Sequence, residues 1–200
     1  MVSKIEIKEG SGGGDFKKAT PGYQTARLLR IIDTGVQAQE YKGEKKPPKT
    51  VLQFIFELSE DTVIVNGEEL PMLAFSRAAI TGGNPTPSTL EKILKALGAD
   101  PKNADLASLL GRPVGLTFDE RGFISSFSPL IEKKAAMVPK LEADSFFFDF
   151  DAPDAKVLKK LGKKTIERLK DALNFSGSKV EKLLESNEIE VTESTGEEVI

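Results

Sequence analysis

The chain has 200 residues, of which 39% are hydrophobic and 30% charged, with a formal net charge of −3. That composition can bury a core and excludes wholesale disorder. The absence of Cys and His excludes thiol nucleophiles, disulfides, zinc and haem ligation and imidazole acid–base chemistry.

Residues 1–22 read as a flexible N-terminal arm. Ser11-Gly12-Gly13-Gly14 holds regular structure at high entropic cost, and Thr20-Pro21-Gly22 is turn chemistry. Phe16 is a candidate anchor for this arm. Met1 to Glu6 has no apolar stretch of the kind a signal peptide needs, and no run approaches the roughly 18 apolar residues of a membrane span. The expectation is a cytoplasmic protein without a membrane partner.

Tyr23 to Gln39 reads as a strand, with a bulge or kink at Asp33-Thr34-Gly35. Residues 40–49 are basic, carry Pro47 and Pro48, and read as a turn-rich loop. In Thr50 to Leu58, Leu52, Phe54, Phe56 and Leu58 alternate with Val51, Gln53, Ile55 and Glu57, the pattern of a strand. Asp61 to Phe75 continues as β-structure around an Asn66-Gly67 hairpin turn. Residues 76–87, with Gly82-Gly83-Asn84-Pro85, read as irregular.

Ser88 with Glu91 three residues on is a capping-box pattern, followed by an apolar stripe at Leu90, Ile93, Leu94 and Leu97 and a closing Gly98. A short helical turn is expected in 100–109. Gly111 to Phe118 and Phe123 to Leu130 read as a hairpin. Residues 131–153 read as extended, with Phe146-Phe147-Phe148-Asp149-Phe150 packed inside the protein or a dimer, because a fully exposed run invites aggregation. Ala155 to Leu173 reads as one basic amphipathic helix, and Ser178 to Leu184 as a short one. Residues 186–200 read as a disordered acidic tail.

About five strands with a helix before the last hairpin point to a mainly β protein with accessory helices. The expected fold is an OB-like five-stranded barrel over 23–153, followed by a helical segment at 154–185.

The chemical signals favour binding over catalysis. Histidine is absent, and Gly12-Gly13-Gly14 is not followed by the Lys-Ser/Thr of a phosphate-binding loop. Asp149, Asp151 and Asp154 cluster in sequence, which keeps a metal-dependent nuclease as a rival, although the calcium-loop spacing fails. No metal or other cofactor is expected. Residues 1–50 hold ten Lys/Arg against six Asp/Glu, whereas 181–200 hold one Lys against seven Glu. Lys42, Lys45, Lys46 and Lys49 suit a phosphate backbone, since lysine releases its condensed counterions. Arg27, Arg30 and Arg77 are read as strand-surface cations that could join them, with Tyr23 and Tyr41 as stacking candidates. Phe54 and Phe56 are read as core. The tail ending in Glu193, Glu197, Glu198, Val199 and Ile200 could dock on a partner or occupy a basic groove.

Several of these runs resemble tailed-phage single-stranded-DNA-binding proteins. They include Pro21-Gly22, Arg27-Leu28, Ile32-Asp33-Thr34-Gly35-Val36-Gln37, Tyr41-Lys42-Gly43, Lys45-Lys46-Pro47, Phe56-Glu57-Leu58, Leu109-Leu110-Gly111-Arg112-Pro113 and the Phe- and Asp-rich stretch near 146–154. The resemblance implies an OB-fold protein that coats single-stranded DNA in phage replication, recombination and repair, in the host cytoplasm. It also implies a tail that contacts the replication polymerase and helicase–primase. This chain ends in Val199-Ile200, where some relatives end in an aromatic residue. A protein-interaction or virion-structural module without DNA binding is the alternative, and a homodimer is open.

Overall fold

The computed structural model describes residues 17–65, 67–80 and 87–186. The elements are β1 (Gly22–Tyr41), β2 (Glu44–Val65), β3 (Glu68–Ala79), α1 (Thr89–Ala96), a 3₁₀ turn at Ala107–Leu109, β4 (Pro113–Phe118) and β5 (Ile124–Ser128). After these come α2 (Glu132–Ala135), β6 (Phe146–Phe148), α3 (Ala155–Leu158), α4 (Lys163–Lys170) and α5 (Lys179–Glu185). Among the described residues, no helix is long and apolar enough to cross a membrane.

The protein is mainly β. Its sheet has six strands rather than the expected five, in the order β3-β2-β1-β4-β5, with β6 pairing in parallel with β1. The other pairs are antiparallel. The sheet does not close into the expected barrel. The end strands β3 and β5 come close without pairing, and α1 packs against both. Helix α1 begins as the sequence dictates: the Ser88 hydroxyl accepts from Glu91 N–H at 3.2 Å, and the Glu91 carboxylate accepts from Ser88 N–H at 3.0 Å.

The period-2 pattern of β1 and β2 sorts side chains onto two faces. Ala26, Leu28 and Ile31 join Leu52, Phe54, Phe56 and Leu58 in the first core, with α1 and β4. Phe54 and Phe56 are fully buried there, as the alternation required. Leu29, Ile32 and Ile55 face the other way, into a second core built with Phe146, Phe148, Phe150 and the apolar sides of α3, α4 and α5. The phenylalanine run is therefore packed within the chain, with Phe147 turned toward the first core.

Strand β1 is long and bent. Its register against β2 shifts between Leu28 and Arg30, between Asp33 and Val36 and between Gln37 and Gln39. The middle shift falls at the expected kink. Gly35 sits there with φ +75°, a left-handed conformation suited to glycine. A Cβ on Gly35 would lie 2.8 Å from both Asn174 Oδ1 and Phe150 Cε2 and 3.0 Å from Ala172 Cβ. The kink thus lets the C-terminal segment touch the β1 backbone. Asn174 Oδ1 accepts from Val36 N–H, and Val36 C=O accepts from Leu173 N–H, both at 2.8 Å.

Five local expectations change. Residues 76–79, read as irregular, are the end of β3 and pair with Val51 to Phe54. Residues 40–49 are not a loop, because β1 runs to Tyr41 and β2 starts at Glu44, with Lys42 (φ +53°) and Gly43 (φ +79°) forming the turn. The two prolines are accommodated because Pro47 and Pro48 lie at the register shift, where ladder donors are not required. The segment 155–173 is two helices. Its apolar spacing fits one helix or two, but Gly162 takes ψ 159° and restarts the chain as the N-cap of α4. The stretch 131–153 contains α2 and β6. The arm is docked from Lys17 onward: Asp61 accepts from Thr20 N–H (2.7 Å) and the Thr20 hydroxyl (2.8 Å), and Lys17 Nζ donates to Thr62 C=O. The readings made for residues 1–16, Asn66, Gly82-Gly83-Asn84-Pro85 and the tail lie outside the described residues.

Candidate nucleic-acid interface

The far halves of β1 and β2 form a two-stranded ribbon. Val36, Gln37, Gln39, Glu40 and Tyr41 pair with Thr50, Lys49, Lys46, Lys45 and Glu44. Paired residues in an antiparallel ladder point to the same face, and neighbours along a strand alternate. Tyr41, Lys46 and Lys49 therefore share one face with Gln37 and Gln39, while Lys45 shares the opposite face with Glu40. Lys42 sits at the turn with its ammonium 5.4 Å from the Tyr41 ring centroid. Lys46 pairs with Glu44 at 2.6 Å, with both side chains largely in solvent. Exposed pairs of this kind contribute little and yield readily to a better anion. Tyr41 is 63% exposed.

The two expected strand arginines are placed differently. They lie on the outer face of the sheet, but the chain crosses over them. Arg27 donates from Nε to Pro139 C=O (2.5 Å), from Nη1 to Gly111 C=O (2.7 Å) and from Nη2 to Val138 C=O (2.8 Å). Arg30 donates to Asp144 C=O at 3.3 Å and stacks 4.8 Å from the centroid of the Phe146 ring. Their donors hold the crossing segment, so they are not available as a phosphate-facing row. A hollow of about 330 Å³ beside Arg27 is lined by Glu57, Thr62, Glu69, Lys140 and Glu142, a carboxylate-rich wall that disfavours a polyanion.

Tyr23 stands at the opposite end of β1 from Tyr41, so the two rings cannot take neighbouring bases. Tyr23 lies over Gly115, where a Cβ would come within 2.7 Å of its ring, and Lys134 Nζ is 5.5 Å from its centroid. Arg77 is exposed on the edge strand β3, opposite Gln53 and on the outer face. Of the sequence candidates, the structure unites Tyr41, Lys42, Lys46 and Lys49, with Lys45 behind them. It separates Tyr23, Arg27 and Arg30 from that group.

Two of the three aspartates of the rival metal site, Asp149 and Asp154, accept from the backbone. Asp149 Oδ1 accepts from Asp151 and Ala152 N–H groups (2.8 and 3.2 Å), and Asp154 Oδ1 caps α3 from Lys156 and Val157 N–H groups (2.7 and 3.3 Å). Among the described residues, no group of three or more potential ligands converges on a metal position. Burial raises the nearby Asp33 carboxyl above its ordinary value; the Gly35 N–H opposes this and the Asp149 and Asp151 charges add to it.

One element that the sequence marks as basic lies outside the candidate site read from it. Residues 155–170 hold seven Lys/Arg against Glu167 alone. Thr165, Ile166 and Leu169 of α4 are buried in the second core, which turns Lys163, Lys164 and Lys170 to solvent. Helix α4 meets the ribbon's root: Gln37 Nε2 donates to Arg168 C=O (3.1 Å), and Arg168 Nη1 donates to Gln53 Oε1 (3.2 Å). Its basic character was legible in the sequence; its contact with the ribbon was not, because that contact joins residues more than 100 positions apart.

No family model, curated protein or solved structure matches this chain.

Proposed function

We propose that this protein binds single-stranded DNA, without strong sequence preference and without catalysis, through the ribbon formed by β1 and β2. The observation that supports this most is the ribbon itself. It projects Tyr41 beside Lys42, Lys46 and Lys49, with Lys45 on its back, against only Glu40 and Glu44. Lysines follow a phosphate backbone, and an exposed tyrosine ring offers every base a stacking surface.

The topology is consistent with this reading. The order β3-β2-β1-β4-β5, with α1 inserted between β3 and β4, is the arrangement expected of an OB-type fold that has stayed partly open. In such folds the loop between the first two strands is a common oligonucleotide contact, and here that loop is extended into the ribbon. The resemblance to tailed-phage single-stranded-DNA-binding proteins points the same way. It extends the proposal to coating of strands during phage DNA replication, recombination and repair. The acidic C-terminal residues would then recruit a replication polymerase or helicase–primase.

The test is a fluorescence-anisotropy titration with labelled oligo-dT across salt concentrations, on the wild type and on a variant with Lys42, Lys45, Lys46 and Lys49 changed to Ala. Wild-type affinity should fall with salt, with a log–log slope of about −0.7 per phosphate neutralised, and the variant should lose most of that slope. Absence of binding by the wild type at low salt would overturn the proposal in favour of a protein-interaction or virion-structural module.

A further inference from the structure

An OB-type sheet would offer DNA the outer face of β2 and β3. In this protein that face is partly covered. Ile55 of β2 is buried in the second core, and Leu73 and Phe75 of β3 pack against it together with α3, α4 and α5. A strand leaving the ribbon along its Tyr41 face therefore runs into the C-terminal helices rather than onto the sheet.

The register shows where it meets them. Gln37 lies on the same ribbon face as Lys49, and its side-chain amide is bonded to the carbonyl of Arg168 in α4. From Arg168 back to Lys164 is about 6 Å along the helix axis, a little over one turn. Lys163 comes next, and both lysines are exposed. Behind them, Thr165, Ile166 and Leu169 are buried, so the helix that carries these charges is anchored. Between residues 155 and 170 the only carboxylate is Glu167. Lys160 is matched to Asp144 at 2.8 Å, whereas Lys170 at the ribbon end of α4 and Lys163 and Lys164 at its far end are exposed, so cationic side chains continue along the helix away from the ribbon's root.

We infer that the exposed side of α4, through Lys163 and Lys164, is the second half of the binding surface and carries the DNA backbone onward from the ribbon. This inference rests on the single-stranded-DNA reading. It names as phosphate contacts two residues that lie outside the first hairpin. It also gives the C-terminal helical segment a part in binding beyond covering the sheet.

The experiment compares the full-length wild type with the Lys163→Gln/Lys164→Gln variant. Two oligo-dT lengths are used, about 6 and about 16 nucleotides, within the range that single OB-type domains cover. Both substitutions are at exposed positions, and matching thermal melts establish that the variant is folded. The expected result is that the longer oligonucleotide binds about tenfold more weakly to the variant at low salt, with the salt slope shallower by about 1.4, as for two lost phosphate contacts. The short one, held by the ribbon, should bind both proteins alike. A wild type that binds the longer oligonucleotide while the variant matches it in affinity and slope overturns this inference and leaves the ribbon reading intact. An equal loss on both lengths also overturns it, because a general field effect would then replace a continued path. A wild type that binds neither length removes the parent reading instead.

Discussion

Arg27 and Glu57 stand directly opposite each other on β1 and β2, and both hold the backbone of the same crossing segment. The Arg27 guanidinium donates to the carbonyls of Val138 and Pro139. The Glu57 carboxylate accepts from the N–H groups of Glu142 (2.9 Å) and Ala143 (3.2 Å). One charged cross-strand pair thus fixes residues 138–143 over the sheet from both polarities, which explains why an arginine on the first strand is structural here.

The first prediction follows. Arg27→Ala and Glu57→Ala each remove several charge-assisted hydrogen bonds to backbone, most of them part-buried, and each should destabilise by about 2–4 kcal/mol. The double variant should cost less than the sum, because both act on one segment. Urea unfolding of the four proteins checks this. Oligo-dT affinity of the folded Arg27→Ala protein should be unchanged, and a marked loss would return Arg27 to the DNA-contacting set.

The second prediction concerns Gly35. Alanine there would need a disfavoured φ and would place its Cβ against Asn174, Phe150 and Ala172. The expected loss is about 2–4 kcal/mol. Limited proteolysis should cut the C-terminal helical segment of the variant sooner than that of the wild type, since Val36 anchors it through Leu173 and Asn174.

The third prediction uses the tyrosines. The chain has no Trp and only two Tyr, Tyr23 and Tyr41. Oligo-dT should quench intrinsic tyrosine emission through Tyr41. Tyr41→Phe should abolish most of the quenching and keep the affinity, whereas Tyr41→Ala should cost about 1–3 kcal/mol of binding. Tyr23→Phe should leave the quenching in place. Quenching that vanishes with Tyr23 instead would relocate the stacking site to the β4 end of the sheet.

The fourth prediction is a pH dependence. The Asp33 carboxyl is raised by burial, so the folded state holds its proton more tightly than the unfolded chain does. Its contribution favours folding at low pH and is lost as pH rises from the ordinary carboxylate value through the raised one. Asp33→Asn can still accept from Gly35 N–H through its amide oxygen. It should therefore stabilise the protein at pH 7 and flatten that part of the profile, as read by urea midpoints between pH 4 and pH 7.

Asp61 behaves in the opposite sense. Burial alone would raise its carboxyl, but hydrogen bonds from Thr20 N–H, the Gln24 amide and the Thr20 hydroxyl, with Lys17 nearby, hold it below the ordinary value. Its contribution is present above that ordinary value and fades as the solution is acidified through the lowered one.

Strand positions were legible wherever one face is buried and the other is not, as in Leu52 to Leu58, and the Ser88–Glu91 cap was legible because its two hydrogen bonds are local. The ribbon was misread as a loop because its residues are exposed on both faces, which removes the alternation, and because two prolines sit at a register shift. The strand count was missed because β6 has three residues and takes its meaning from a distant partner, Arg30 to Ile32. The site was legible as composition, in the lysines and Tyr41. It was not legible as geometry, because nothing local in Arg27 or Arg30 reveals that residues 138–146 return to lie over them.

The parallel pairing of β6 with β1 bears on how this chain reaches its native state and on what trimming would do. The rim of β1 beyond Arg27 waits for Phe146 to Phe148, so that rim stays open until most of the polypeptide has been synthesised. Non-local pairings of this kind slow folding and leave hydrogen-bonding groups ready to recruit other molecules. Shortened forms ending before residue 146 should accordingly self-associate, and a refolding yield that declines with protein concentration would be their signature.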